Sequence, residues 1–227
     1  LSLDPDVVVG FAVNGNNKTF NTIQKSGIPV VFNGDWTEES PLGKAEWIKF
    51  FGVLFNKSAE ANEIFKEIEQ SYQESVLLAK KAVDIPTVLS GSMYKDQWYV
   101  PYGNSWSAEF IEDANANYIY NDTKGSGSNS LNFEKVLNDA QNVEYWIAPG
   151  QFQSYEQLLE ASPHYAQFDA VKNKKVYTYN NTLGETGGTI YYELAPTRPD
   201  LVLKDMISIF HPELLPDYKP VFFKPLD

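Results

Sequence analysis

The side chains able to do chemistry in this chain are mostly flat rings. Phe11, Phe32 and Trp36 fall at the ends of predicted strands or in the loops beyond them; so do Tyr94, Trp98, Tyr99, Tyr102 and Trp106, and later Tyr191. Open parallel sheets present ligands at such positions, and a binding cleft needs apolar surface with a few polar anchors. Aromatic rings stack well on large flat ligand faces, so these residues are the candidate ligand contacts. The competing reading is packing, because aromatics are also enriched in strands; residues 93–106 admit both. Trp146 and Tyr145 lie inside an apolar run and are assigned to packing. Arg198 suits a bidentate grip on a carboxylate, or equally a structural pairing with Asp200 at a helix start.

Other chemistries are poorly supplied. There is no cysteine, so disulfides and thiolate metal sites are excluded. His164 and His211 are the only imidazoles, too few for a His-rich metal receptor, and no zinc or manganese site is expected. The chain has no Gly-x-Ser-x-Gly elbow, no phosphate-binding glycine loop and no HExxH helix. Thirty acidic residues keep one rival alive: Glu185 with Glu193 as the facing carboxylates of a carbohydrate-active hydrolase, which needs them about 5–10 Å apart.

The 227 residues are 43% hydrophobic and 15% aromatic, enough for a core and for one large domain or two small lobes. The net charge of −12 argues against nucleic acid and anionic membrane as partners. Apolar runs fall far short of the ~20 residues needed to span a bilayer.

Strand and helix signals alternate along the chain. Val7-Val8-Val9, bounded by turn residues, predicts a strand buried on both faces. The polar stretch 14–17 leads into an amphipathic segment with Phe20 and Ile23, stopped by Ser26-Gly27, where glycine suits a helix C-terminus. Ile28-Pro-Val-Val-Phe32 is the next strand, so the opening section is a parallel β-α-β unit. Residues 42–55 predict one helix. From Ser58, the expected N-cap, Ile64, Ile68, Tyr72, Val76 and Ala79 predict a helix to about Ala82, some 36 Å long. A second α/β section follows Pro86, with strands at 87–90, 97–100, 144–148 and 175–179. Its helices are predicted at 107–113, 133–140, 155–161 and 199–210. Residues 123–130 read as a Gly/Ser-rich mobile loop, and the tail 212–227 has four prolines and little periodicity. The expected fold class is α/β: two lobes with mainly parallel sheets flanked by helices, joined by one long helix. The divisions are 1–57 for an N-terminal lobe, 58–82 for the linking helix, and 83–227 for a C-terminal lobe and tail.

This order of segments resembles the class III substrate-binding proteins of bacterial ABC importers for iron complexes, haem and cobalamin. The match runs the length of the chain. It is carried by Leu1–Gly10, by Ser26-Gly-Ile-Pro-Val-Val31, by Ser130-Leu-Asn-Phe-Glu134, by Phe168-Asp-Ala-Val-Lys-Asn-Lys-Lys-Val-Tyr177 and by Tyr192-Glu-Leu-Ala-Pro-Thr-Arg-Pro-Asp200. The fourth is the most specific. The family has further strands ahead of the segment matching Leu1–Gly10, so the first lobe is expected to be incomplete here.

The resemblance implies capture of an iron-siderophore, haem or cobalamin between lobes and delivery to an inner-membrane ABC permease, without catalysis or cofactor. It implies a monomer, periplasmic or lipid-anchored at the outer face of a bacterial membrane. It places ligand contacts near Phe11, Phe32 and Tyr191. Direct coordination of ferric haem by Tyr94, Tyr102 or Tyr191 stays open, as nothing in their spacing selects one. One exposed glutamate per lobe docks the permease in this family. Glu193 matches the C-terminal-lobe position, and Glu46 substitutes in the first lobe, where Asn16 or Asn17 stands at the usual glutamate position. A continuous linking helix implies modest lobe motion on binding.

Overall fold

A computed structural model describes residues 2–11 and 17–227, so Asn16 and most of the polar stretch 14–17 lie outside the described residues. Contacts divide the chain into two compact units, Leu1–Glu38 and Glu39–Asp227.

The first unit is the expected β-α-β crossover. Strand β1 (Val8–Gly10) pairs in parallel with β2 (Val30–Phe32), Val8 facing Val30, with helix α1 (Lys18–Lys25) between them. The Asn17 side chain caps α1 by accepting from the Thr19 and Phe20 amides, and Gly27 follows its end with φ 91°. The strand is not buried on both faces: Val9 is 38% exposed, because a two-stranded sheet with one crossover helix cannot cover two sides.

The second unit opens with α2 (Pro41–Glu46) and α3 (Ile48–Leu54), not with one helix across 42–55. The Trp47 amide bonds Lys44 three residues back, which tightens and closes the first turn-and-a-half. Helix α4 (Ser58–Ala79) is unbroken over 22 residues, about 33 Å. Ser58 is its first helical residue, not its cap; Lys57 takes the cap position without a side-chain bond and pairs with Glu60 at 2.9 Å. The buried stripe is Ala61, Phe65, Ile68, Tyr72, Val76 and Ala79, whereas Ile64 points out.

After α4 come β3 (Thr87–Ser90), β4 (Ser92–Tyr94), β5 (Gln97–Pro101), α5 (Trp106–Asp113), β6 (Asn117–Tyr118), β7 (Ser128–Leu131) and α6 (Phe133–Ala140). Then follow β8 (Tyr145–Ile147), α7 (Tyr155–Ala161), α8 (Asp169–Lys172), β9 (Val176–Thr178), α9 (Ile190–Leu194), α10 (Pro199–Phe210) and β10 (Lys224–Pro225). The main sheet has the order β10-β9-β8-β3-β6, parallel except for β10, which runs antiparallel beside β9. A separate antiparallel sheet has the order β4-β5-β7. The expected Gly/Ser loop is therefore partly strand: its end, Ser128–Leu131, pairs with β5. Helix α4 packs against α3 and α10 inside this unit.

The tail is ordered by one carboxylate. Asp205, on α10 and fully buried, accepts from the amides of Val221 (2.9 Å), Phe222 (2.6 Å) and Phe223 (2.9 Å) and from the Tyr218 phenol (2.7 Å). Phe222, Phe223 and Leu226 thereby become core residues in a segment without periodicity.

The seam between α4 and α5 is acidic. The Tyr72 phenol donates to Asp113 at 2.5 Å, and Glu109 sits one turn earlier on α5. Burial, then the nearby Asp113 and Glu112 charges, push the Glu109 carboxyl up to about 7. A raised folded-state value means that the fold tolerates the protonated form better. The Glu109 contribution is thus fully present below the ordinary value near 4.5 and is lost as pH rises through about 7. Thermal melts should show E109Q matching the parent at pH 4.5 or below and exceeding it at pH 8; equal melting at both would refute this sign.

Candidate functional site

The carboxyl ends of β3, β8 and β9 open into a cavity of about 680 Å³ in the second unit. Each strand delivers a different lining. Beyond β3, Ser90 and Gly91 lead directly into β4. Gly91 has φ 99°, and a Cβ there would lie 2.1 Å from the Tyr99 carbonyl oxygen, so only glycine lets the two strands approach. Beyond β8, Ala148-Pro-Gly-Gln-Phe152 forms one wall. Beyond β9, Tyr179 and Asn180 form another. The Asn180 amide donates to the Gly150 carbonyl, tying the two exits together, and its carbonyl accepts from Thr189 Oγ1 at 3.4 Å.

The aromatic wall is a stack. Tyr191 lies flat on Tyr179, with ring centres 4.2 Å apart and planes 6° apart; on Trp106 the values are 6.4 Å and 23°. Tyr192 meets both tyrosines edge-on, and the Tyr179 and Tyr192 hydroxyls are 3.1 Å apart. Behind them, Phe222 and Phe223 meet Tyr191 edge-on at 5.8 and 5.6 Å. Burial holds the Tyr179 and Tyr191 phenols well above the usual tyrosine range, with the Tyr192 hydroxyl adding to both. Both stay neutral, donating and accepting hydrogen bonds rather than carrying charge. Tyr191 is itself buried against its neighbours, so what the wall offers a ligand is chiefly ring edges, hydroxyls and the half-buried Trp106 and Tyr179.

Of the residues singled out in the sequence, Tyr94, Tyr99, Trp106 and Tyr191 line this cavity together. Trp98 does not. It is fully buried among Trp146, Tyr165 and Phe168, because alternation along β5 turns it to the face opposite Tyr99. Its Nε1 has no hydrogen-bond partner among the described residues. Trp146 and Tyr145 pack as expected, and Trp146 Nε1 donates to the Gly91 carbonyl at 2.9 Å. Tyr102 is not among the cavity residues; its ring covers Gly125. Arg198 is also outside the cavity, held bidentately by the buried Asp200 at 2.9 and 3.0 Å, so its role is structural.

In the first unit, Phe11, Phe32 and Trp36 are exposed rings at or beyond the carboxyl ends of β1 and β2, and Phe32 meets Phe20 edge-on. Glu46, expected on the first lobe, belongs by contacts to the second unit and pairs with Lys49 at 2.7 Å. Glu193 is exposed on α9. Neither Glu185 nor Glu193 lines the cavity. His211 Nε2 approaches the Ala114 and Asn115 carbonyls, a packing role, and His164 lies against Phe133.

Tyr179, Tyr192, Phe152 and Phe223 were not foreseen as site residues. Tyr179 carried a usable signal, being the last residue of a recognised strand. Tyr192 adjoins a candidate. Phe223 had none, since it reaches the site through the Asp205 anchor.

A profile described as periplasmic binding protein matches residues 1–183. An uncharacterized lipoprotein of Methanocaldococcus jannaschii is 29% identical over 226 residues, covering 98% of this chain and 52% of the relative. The chain thus spans about half the length of that relative. That relative is archaeal, so the expected bacterial setting does not carry over. Among solved structures, a possible iron-binding (periplasmic solute-binding) protein from Staphylococcus epidermidis superposes with TM-score 0.69 at 18% identity, over 92% of this chain and 78% of that one. A periplasmic heme-binding protein from Roseiflexus sp. RS-1, in apo form, gives 0.65 at 19% identity, over 91% and 78%. These likenesses establish the mixed α/β fold.

The stack depends on the tail, and the tail on Asp205. Replacing Asp205 by asparagine leaves one acceptor oxygen in place of two and sets an amide N–H against buried donors. D205N should lose about 3 kcal/mol in urea unfolding. Unchanged stability would show that the four bonds do not anchor the segment.

Proposed function

The chain belongs to the periplasmic binding protein family, and on that premise we propose that it is the solute-capturing component of an ABC importer. The ligand is an iron complex (a siderophore complex), haem or cobalamin, passed on to a membrane permease. The single observation that supports this reading most is the stacked wall Trp106–Tyr191–Tyr179 at the carboxyl ends of parallel strands. Planar or macrocyclic chelates present apolar surface and polar rims that an aromatic wall edged with hydroxyls can meet.

Within this proposal Tyr94, Tyr99, Trp106 and Tyr191 contact ligand from the second unit, and Phe11, Phe32 and Trp36 are the contacts that the first unit offers. The linking helix of this reading is residues 58–82, between an N-terminal lobe of 1–57 and a C-terminal lobe of 83–227. Glu193 is the permease-docking carboxylate; Glu46, already paired with Lys49, is the weaker second candidate. The protein works at the outer face of the membrane, a setting that a lipoprotein relative supports. Among the described residues no helix is long and apolar enough to cross a membrane.

A hydrolase would need facing carboxylates in the cavity, and the lining residues contain none. Titration by tryptophan fluorescence with ferric siderophore complexes, hemin and cobalamin should give submicromolar binding of at least one, with no turnover of a glycan panel. Trp106→Ala, removing one stacked ring, should weaken that binding about tenfold. Glycan turnover, or undiminished affinity in W106A, would overturn the assignment.

A further inference from the structure

We propose that this cavity selects electrically neutral ferric complexes, the tris-hydroxamate class, over anionic ones. The inference rests on the solute-binding reading above and adds the charge class of the ligand to it. Among the described residues, the cavity lining contains no aspartate, glutamate, lysine, arginine or histidine. Its polar groups are hydroxyls and amides, chiefly Ser90, Ser92, Gln151, Asn180 and the paired Tyr179 and Tyr192 hydroxyls.

Arg198, Lys44 and Lys95 are each engaged with a ring or a carboxylate. Arg198 is bound to Asp200. Lys44 Nζ stands 5.2 Å from the Trp106 ring centre and Lys95 Nζ 5.3 Å from that of Tyr94, and neither side chain lines the cavity. The protein as a whole carries −12, so its long-range field repels anions.

The chemistry of iron chelates converts this into a choice. Three hydroxamate monoanions balance one ferric ion and leave a complex of zero net charge. Three catecholate dianions leave it at −3, and haem carries two propionates. Moving an unpaired charge from water into a lining without a counter-ion costs several kcal/mol for each ion. A neutral complex avoids that cost. Its oxygens still accept from the serine and tyrosine hydroxyls and from the Asn180 and Gln151 amides, while its apolar linkers rest on Trp106 and Tyr94.

The test uses the full chain and three probes: ferrichrome as the neutral tris-hydroxamate, ferric enterobactin as the trianionic tris-catecholate, and hemin. Affinities are read by tryptophan fluorescence at low and high salt. The expected result is ferrichrome tighter than either anionic probe by about tenfold or more, with little salt dependence. Gln151→Arg, which places a cation on the cavity's exposed rim, should narrow that ratio. Equal or tighter binding of ferric enterobactin or hemin would overturn the charge inference while leaving the solute-binding reading intact. So would a ratio untouched by Gln151→Arg. Binding of none of the three would overturn the charge inference, and absence of cobalamin binding as well would overturn the solute-binding reading.

Discussion

A single buried carboxylate holds the candidate site in shape. Asp205 gathers three consecutive main-chain amides and one phenol, and by doing so pins residues 218–223 against α10. Burial raises its pKa above the ordinary carboxylate value, and the four donors offset only part of that rise. An unpaired carboxylate at this depth would be costly, whereas one surrounded by donors is the cheapest way to fix a segment that has no helical or strand periodicity. The reward is positional: Phe222 and Phe223 become the wall that Tyr191 and Tyr179 meet edge-on.

That stack explains how the cavity combines flatness with neutrality. Two phenols lie ring on ring and a third joins them edge-on, so their apolar faces are mutually covered. Their hydroxyls are left to bond one another or a ligand. Desolvation keeps the Tyr179 and Tyr191 phenols protonated, and with no carboxylate or ammonium in the lining among the described residues the cavity wall is uncharged in a strongly acidic chain. Surface charge then governs solubility and encounter, while the cavity reads shape and hydrogen bonding.

The parallel sheet sets where this happens. Strands β3, β8 and β9 all end on the same edge, so Ser90, Ala148 and Tyr179 arrive together from segments up to ninety residues apart in sequence. Gly91 lets β4 leave immediately beside Tyr99, and the Asn180 bond to the Gly150 carbonyl fixes the distance between two exits. On the first unit β1 and β2 show the same arrangement in small, with Phe11 and Phe32 at their carboxyl ends.

Local pattern alone determined much of this. The bounds of α6, α7 and α10, the β-α-β opening and the long helix after Lys57 followed from periodicity and caps, because these are properties of neighbouring residues, and the family followed from the resemblance of five short segments. The split at Trp47, the strand at Ser128–Leu131 and the first-residue place of Ser58 depended on hydrogen bonds with partners that local pattern does not specify. The same limit separated Trp98 from Trp106. Both are tryptophans in one aromatic run, yet pleat alternation along β5 sends Trp98 into the core, whereas Trp106, the first residue of α5, lines the cavity. Phe223 is the clearest case of what tertiary structure alone decided. It reaches the site only because Asp205 folds a proline-rich tail back across the sheet edge. Which face a side chain takes depends on long-range partners, and those exist only once the chain has closed on itself.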